Sequence, residues 1–371
     1  MQNTSSRIDP KLNIYTSEEY FDAIIAEISA TSTGDEVILV SMTFDPAKKT
    51  VRHLLAELGA AGKRGVKARL IIDARVFLYQ DEHGLGPLFY SPKLPSRLPK
   101  RYDLIRKALY CLKECSVDYN IINIPARSFT NPHGGRCHIK FTLINDSIYF
   151  GGANLDNDAN IDLMVGLQDA DFANYLREFA AELVARGNVR KAMHDTDALV
   201  SLGLNSKVLI DAGVPNQSLI FENAIQLIKS AREHIFITCQ HFPSGAIGRH
   251  LLEAHKRGVR IDIYSNHPNK SVWPYNILHY GAVQLAKRQL PKNFFENTLM
   301  GPENYLHAKL IATEQGAMVG SHNYLGIGVK FGTAEMTLIN HDPDFSREAI
   351  DAVMKQMLPG NHAAVADHYA S

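Results

Sequence analysis

Two stretches of the chain hold the residues best suited to chemistry. "CHIKFTLINDSIYFGGANLDN" spans 137–157, and "LHAKLIATEQGAMVGSHNYLG" spans 306–326. In each, a histidine and a lysine stand one residue apart at the head of an apolar run: His138-Ile-Lys140 and His307-Ala-Lys309. Strand alternation would send both polar side chains to one face, with Ile139 and Ala308 pointing away. A turn comes next, Asn145-Asp146 in one copy and Glu314-Gln315-Gly316 in the other. A short returning run then ends in Gly151-Gly152-Ala153-Asn154 or Gly320-Ser321-His322-Asn323. Each copy also has its own downstream acid, Asp162 in "NIDLMV" and Glu335 in "TAEMTL".

One such pair alone would usually be a satisfied histidine beside a surface lysine. Here the spacing from lysine to turn to glycine recurs in full, which points to a shared site. If the copies meet about a dyad, they bring two imidazoles, two ammoniums and two amide groups to one point. Ammoniums and amides can hold the oxygens of a phosphodiester and stabilise the charge of its pentacoordinate transition state. One histidine can attack phosphorus while the other protonates the leaving oxygen. An acid behind each ring would fix its tautomer. With charge supplied by the lysines, no metal or other cofactor is expected. The chain has 16 histidines, yet no HExxH or comparable metal-ligand spacing occurs; His53 and His250 fall at matching repeat positions and read as helix-surface residues.

The surrounding elements repeat as well. "EVILVSMTFDPAKKTVRHLLAELGAAGKRGVKARLIIDAR" (36–75) lines up with "HIFITCQHFPSGAIGRHLLEAHKRGVRIDIYSNHP" (234–268). Each reads as an apolar strand, a helix ending in "KRGV" and a second strand, a parallel βαβ unit. An amphipathic helix precedes each unit. In 16–31, Thr16 and Glu19 have capping-box spacing and Tyr20, Ile24, Ile25 and Ile28 share a face. In 216–231, Ile220, Ala224, Leu227 and Ile228 do the same. The expected architecture is α/β: two halves, 8–190 and 205–371, related by a pseudo-two-fold, each a mixed sheet flanked by helices. Residues 187–206 read as the linker between them.

With both motifs set in matching βαβ surroundings, the chain resembles the phospholipase D superfamily, whose signature is HxKxxxxD followed by GSxN, twice per site. The resemblance covers most of the chain. It implies a phosphohistidine intermediate resolved by water or an alcohol. It makes His138 and His307 nucleophile and acid/base, and gives Lys140, Lys309, Asn154 and Asn323 the phosphate. Gly152 and Ser321 would flank the substrate, and Asp162 and Glu335 would orient the histidines. Two motifs in one chain make a monomer sufficient for one site. The sequence departs from the pattern where Asn145 and Glu314 replace the motif aspartate and Gly152 replaces a serine.

Composition bounds the partners. The chain has 371 residues, enough for two units, with 39 basic residues balancing 39 acidic ones. No global positive field therefore draws it to nucleic acid or an anionic bilayer, and such attraction must be local. Local candidates are two Pro-rich basic segments: 91–107, with Lys93, Arg97, Lys100 and Arg101, and 285–293, with Lys287, Arg288 and Lys292. Phe89, Tyr90 and Tyr102 accompany the first, and Trp273 and Tyr275 precede the second. These segments are expected at the cleft mouth, with peripheral contact to an anionic membrane. Neither a signal peptide nor a run of about 18 apolar residues is read. Of four cysteines, Cys111 and Cys115 read as buried thiols, and a reducing, cytoplasmic setting fits. Three functions follow: a phospholipid-directed hydrolase or phosphatidyltransferase, a nuclease or nucleic-acid phosphodiesterase, and a non-catalytic module with the same fold. The balance of charge favours the lipid.

Overall fold

The computed structural model describes residues 9–77, 79–80, 84–85, 100–124, 135–156, 158–268, 275–289, 299–300 and 305–357. The first half contributes β1 (Asn13–Thr16), β2 (Glu36–Ser41), β3 (Lys67–Asp73), the two-residue β4 (Tyr79–Gln80) and β5 (Gly84–Leu85), β6 (Asp118–Ile122), β7 (Phe141–Ile144), β8 (Ser147–Gly151) and β9 (Leu163–Gln168). The second contributes β10 (Ala198–Ser201), β11 (Ser206–Ala212), β12 (His234–Cys239), β13 (Arg260–Asn266), β14 (Leu299–Met300), β15 (Leu310–Thr313), β16 (Gly316–Gly320) and β17 (Ala334–Asn340). The first sheet runs β1-β9-β8-β7-β2-β3-β6 and the second β10-β11-β17-β16-β15-β12-β13-β14. Strand for strand the order is the same, apart from β10, an added edge strand in the second sheet. That strand corrects the linker reading of 187–206, because part of that stretch is sheet: Ala198 to Ser201 pair with Ile210 to Lys207.

The helices are α1 (Ser17–Ser29), α2 (Lys49–Lys63), α3 (Lys100–Glu114), α4 (Ala170–Arg186), α5 (Val189–Ala192), α6 (Leu219–Ser230), α7 (Gly245–Lys256), α8 (Tyr275–Gln289), α9 (Gly326–Phe331) and α10 (Pro343–Met357). Helix α1 starts where the sequence signals it: the Thr16 side chain and Glu19 form a reciprocal capping box, satisfying two backbone donors that the first turn leaves open. Ser218 caps α6 by accepting from Phe221 N. The expected βαβ units are present, with β2 parallel to β3 around α2 and β12 parallel to β13 around α7.

Three cores hold the fold together. One lies under α1 and α2 and includes Ile24, Leu54 and Leu70, and its counterpart in the second half includes Ile220, Leu251 and Ile263. The third is common to both halves: Phe141, Phe150, Phe172 and Leu176 pack into one cluster with Val208, Val319, Leu338 and Ile350. Full burial of each such side chain contributes roughly 1.5–3 kcal/mol relative to exposure. The shared core sets the two sheets against each other, and the residues that cross between them form the site.

Candidate active site

Both HxK segments are extended but lie just ahead of β7 and β15, where each docks on the other half. Isolated parallel bridges join Cys137 to Ala334 and Ile161 to Leu306. His138 N donates to Ala334 O and His307 N to Ile161 O, both at 2.8 Å. Each histidine is therefore fastened to the backbone just before the acid of the opposite copy. Side chains follow the backbone: His138 Nδ1 pairs with Glu335 Oε2 at 2.7 Å, and His307 Nδ1 with Asp162 Oδ2 at 2.5 Å. The acids are exchanged between copies, a pairing that the sequence leaves open.

Beneath the rings lie the lysines, each 1% exposed. Lys140 Nζ donates to His138 O at 2.6 Å, and Lys309 Nζ donates likewise to His307 O. The glycine turns bring the asparagines up beside them. A Cβ on Gly151 would lie 2.4 Å from Leu163 O, and one on Gly320 would lie 2.4 Å from Met336 O. Only glycine lets the returning strand pass that close. Asn154 is buried and Asn323 half-buried, and the Oδ1 of each has no hydrogen-bond partner among the described residues.

Away from the site, the residues at the motif's aspartate position perform a common structural task. Asn145, with a left-handed φ of 52°, accepts from Glu36 N at 3.1 Å at the head of β2. Glu314 accepts from Arg232 N at 2.8 Å and from His234 N at 3.4 Å at the head of β12. Both tie the motif's turn to the central strand, and the length of β7 or β15 separates them from the histidines. Gly152 has a local cause too: a Cβ there would lie 2.0 Å from Asp162 Oδ1. In the other copy, Ser321 Oγ instead bonds Glu335 Oε2 at 2.5 Å.

The histidines and asparagines of both copies line one cavity of about 510 Å³. Its walls include residues that the sequence reading missed. Two positions before each histidine stand Arg136 and Tyr305, both on the cavity wall. Behind them, the last residues of β3 and β13 act alike: Asp73 Oδ2 accepts from Cys137 N, and Asn266 Oδ1 from Leu306 N, both at 2.8 Å. The repeat alignment already pairs Asp73 with Asn266 at the carboxyl end of a strand, where α/β sheets place ligands. That was the available signal.

A family model described as "Cardiolipin synthase, PLD-like domain" matches residues 24–183 and 224–358. The chain belongs to this phospholipase D-like family. Among solved structures, phosphatidylserine synthase from Haemophilus influenzae Rd KW20 superposes with a TM-score of 0.67 at 14% identity, over 94% of this chain and 87% of that one. Polyphosphate kinase from Porphyromonas gingivalis superposes with a TM-score of 0.56 at 12% identity, over 97% of this chain and 55% of that one. At these identities the likeness is one of fold. A sequence search of curated proteins finds no match.

Burial and mutual repulsion set the charges in this phospholipase D-like site. Burial, then Lys140 and Lys309, drive His138 well below the ordinary imidazole value. Burial and the neighbouring Lys309 bring Lys140 down to about 7. Burial takes Lys309 to about 8 against the attraction of Asp162 and Glu335. The two acids part ways. Burial pushes Glu335 up to about 8, with Asp211, its cross-strand neighbour on β11, adding to the rise. Burial also pushes Asp162 upward, but His307 and Lys309 outweigh it and leave the carboxyl below 3.8. For His307, burial and Lys309 outweigh the attraction of Asp162 and leave the imidazole below its ordinary value. Near neutrality these shifts favour an ionised Asp162 and a proton-bearing Glu335.

Other expectations fall elsewhere. Phe89, Tyr90, Lys93, Arg97, Trp273 and Lys292 lie outside the described residues, as do the side chains of Lys100, Arg101 and Tyr275. Tyr102 is fully buried, tilted against Phe77 with ring centroids 5.8 Å apart, and belongs to the core instead of a rim. Lys287 and Arg288 are exposed in the last turn of α8, a helix where a loop was expected. Cys111 is exposed and Cys115 half-buried, because only one side of α3 faces the core. His250 pairs with Glu253 on the surface at 2.8 Å. Among the described residues, no group of three or more His, Cys, Asp and Glu could hold a metal, and no helix is long and apolar enough to cross a membrane.

Proposed function

We propose that the protein cleaves or transfers a phosphodiester through a phosphohistidine, most naturally on a phospholipid. The observation that carries this reading is the exchanged pair of imidazole–acid contacts opening on one cavity. His138 Nδ1 and Ser321 Oγ both bond Glu335 Oε2. A proton on Glu335 Oε1 therefore leaves His138 donating from Nδ1, with Nε2 as its basic nitrogen. That is the form of a nucleophile. Ionised Asp162 at 2.5 Å instead offsets part of the lowering that burial and Lys309 impose on His307, so this ring is the better placed of the two to carry the proton a general acid needs.

In the proposed cycle, His138 Nε2 bonds to phosphorus as the P–O bond to the leaving group breaks, and His307 Nε2–H protonates the departing oxygen. His307 then takes a proton from water or an alcohol, whose oxygen attacks phosphorus and breaks the P–N bond. Lys140, Lys309, Asn154 and Asn323 hold the non-bridging oxygens, Gly152 and Ser321 shape the acid side, and one chain suffices. A lipid is supported by the apolar part of the cavity, where Met42, Phe242, Leu325, Ile327 and Phe331 lie. The description of the matching family model points the same way.

The test is incubation in excess chelator with labelled phosphatidylglycerol, phosphatidylcholine and single-stranded DNA. Lipid consumption that persists in chelator is the expected result, because the lysines already supply the charge a metal would offer. Consumption of DNA alone would move the reading to the nuclease. A strict need for added divalent ion would count against the mechanism.

A further inference from the structure

The two walls of the cavity differ most where the repeat makes them most comparable. Tyr305 is neutral, and its hydroxyl accepts from Gln240 Nε2 at 2.5 Å. Arg136 at the matching position is a buried cation, its side chain 5% exposed. Burying a guanidinium is costly unless its donors and charge are matched, and the usual match is a bidentate carboxylate. Arg136 has none. Among the described residues its bonds are made by Nη1, to Asn123 O at 2.7 Å and Asp73 Oδ1 at 3.3 Å. Asp73 is shared with Cys137 N, Asn123 Nδ2 and Arg75 N at 2.7–2.8 Å. Nε of Arg136 has no partner among the described residues. A guanidinium carries five N–H donors in a fixed fork, so this one is anchored by one nitrogen with the rest of the fork uncommitted at the cavity wall. Arg75 lines the same wall and adds to the positive potential at His138.

We propose that Arg136, assisted by Arg75, forms a second anion subsite on the His138 side of the cavity, so that the substrate carries a second oxyanion close to its scissile phosphodiester. This rests on the phosphodiester reading and narrows it. A second phosphoryl group or a carboxylate would meet the fork. A zwitterionic headgroup, which places a cation there, would not.

Binding of three non-hydrolysable probes to the full chain, by calorimetry in metal-free buffer, tests it. Methylphosphonate offers one oxyanion, methylenediphosphonate two phosphoryl groups, and phosphonoacetate a phosphonyl group with a carboxylate. Wild type should bind at least one two-headed probe about tenfold or more tighter than methylphosphonate, a reasonable gain for a charge-assisted contact. Whichever of the two is preferred identifies the second group. Arg136→Gln should erase most of that preference while changing methylphosphonate affinity by no more than about twofold, and Arg136→Lys should restore part of it. Arg75→Gln, which leaves the Asp73 anchor in place, should reduce the preference less. Equal affinity for one- and two-headed probes in wild type would overturn the subsite alone. So would an Arg136→Gln protein that melts earlier yet keeps the preference, which would make Arg136 a structural tie only. Failure to bind any probe would remove the phosphate site along with it.

Discussion

The two halves of this site share a backbone plan and differ in the chemistry hung on it. Each HxK segment bridges to the opposite half, each lysine bonds its own histidine carbonyl, and the last residue of β3 or β13 anchors the backbone N–H just before that copy's histidine. On that common plan, Asp162 and Gly152 face Glu335 and Ser321, and Arg136 and Asp73 face Tyr305 and Asn266. The difference teaches that a two-fold scaffold can give two identical residues unequal work. One histidine's acid is held below the ordinary carboxylate value and the other's above it, and one wall is cationic while the other is neutral and aromatic.

The sharpest way to break the comparison is to remove each histidine in turn. His138→Ala should abolish turnover and leave no covalent species. His307→Ala should lower turnover by roughly 10²–10⁴-fold, the usual contribution of a general acid, yet still form an adduct on His138 with a good leaving group. Intact mass after rapid quench reads this out. An adduct on His307 in the His138 variant, with none on His138 in its counterpart, would reverse the assignment.

The acids should differ next. Asp162→Asn removes an ionised partner and should cost roughly a hundredfold or more, since it withdraws both tautomer control and imidazolium stabilisation. Glu335→Gln keeps a neutral acceptor for His138 and should cost about tenfold. The pH profile separates them further. Both lysines are depressed, Lys140 to about 7 and Lys309 to about 8, so they are charged below those values and neutral above. Wild-type kcat/KM should therefore fall as pH rises through 7 to 8, while His138 stays unprotonated to well below 6.5. Ionised Asp162 holds the lysine values up, so Asp162→Asn should move the basic limb to lower pH, whereas Glu335→Gln, replacing an acid already neutral there, should move it less. Equal shifts of the limb, or equal losses for the two variants, would argue that the acids are equivalent.

The smallest expected effect comes from exchanging the residues beside the acids. Gly152→Ser places a Cβ where Asp162 Oδ1 now lies and should destabilise the fold by about 1–3 kcal/mol, as overpacking does. Ser321→Gly loses one bond to Glu335 and a hydroxyl that also accepts from Met336 N at 3.0 Å, which should cost about 1 kcal/mol. Denaturant melts compare the two. A neutral Gly152→Ser would mean that Asp162 has room to move.

Much of this was legible in the residues alone. Capping at Thr16 and Glu19, the burial of Ile24 and Ile220, and the parallel βαβ units all follow from local propensity and periodicity, which act over a few turns of chain. Recurrence of HxK and Gly-x-x-Asn exposed the shared site for the same reason: a repeat is a property of sequence. Arg136 was visible only as a residue near a motif, and Tyr102 read as a rim aromatic because periodicity could not show which side of α3 meets the core.

What tertiary structure decided is which groups touch. Asp162 lies 145 residues from His307, and Glu335 lies 197 from His138, and no local preference selects the far acid over the near one. The shared core sets the sheets so that Cys137 bridges Ala334 and Ile161 bridges Leu306, and the exchange follows from those contacts. Unequal charge at chemically similar positions arises likewise, because burial and neighbours reached only through the fold set it: Asp211 across from Glu335, and His307 with Lys309 around Asp162. The sequence named the reactive groups and the repeat that pairs them. Long-range packing set their partners and their protonation.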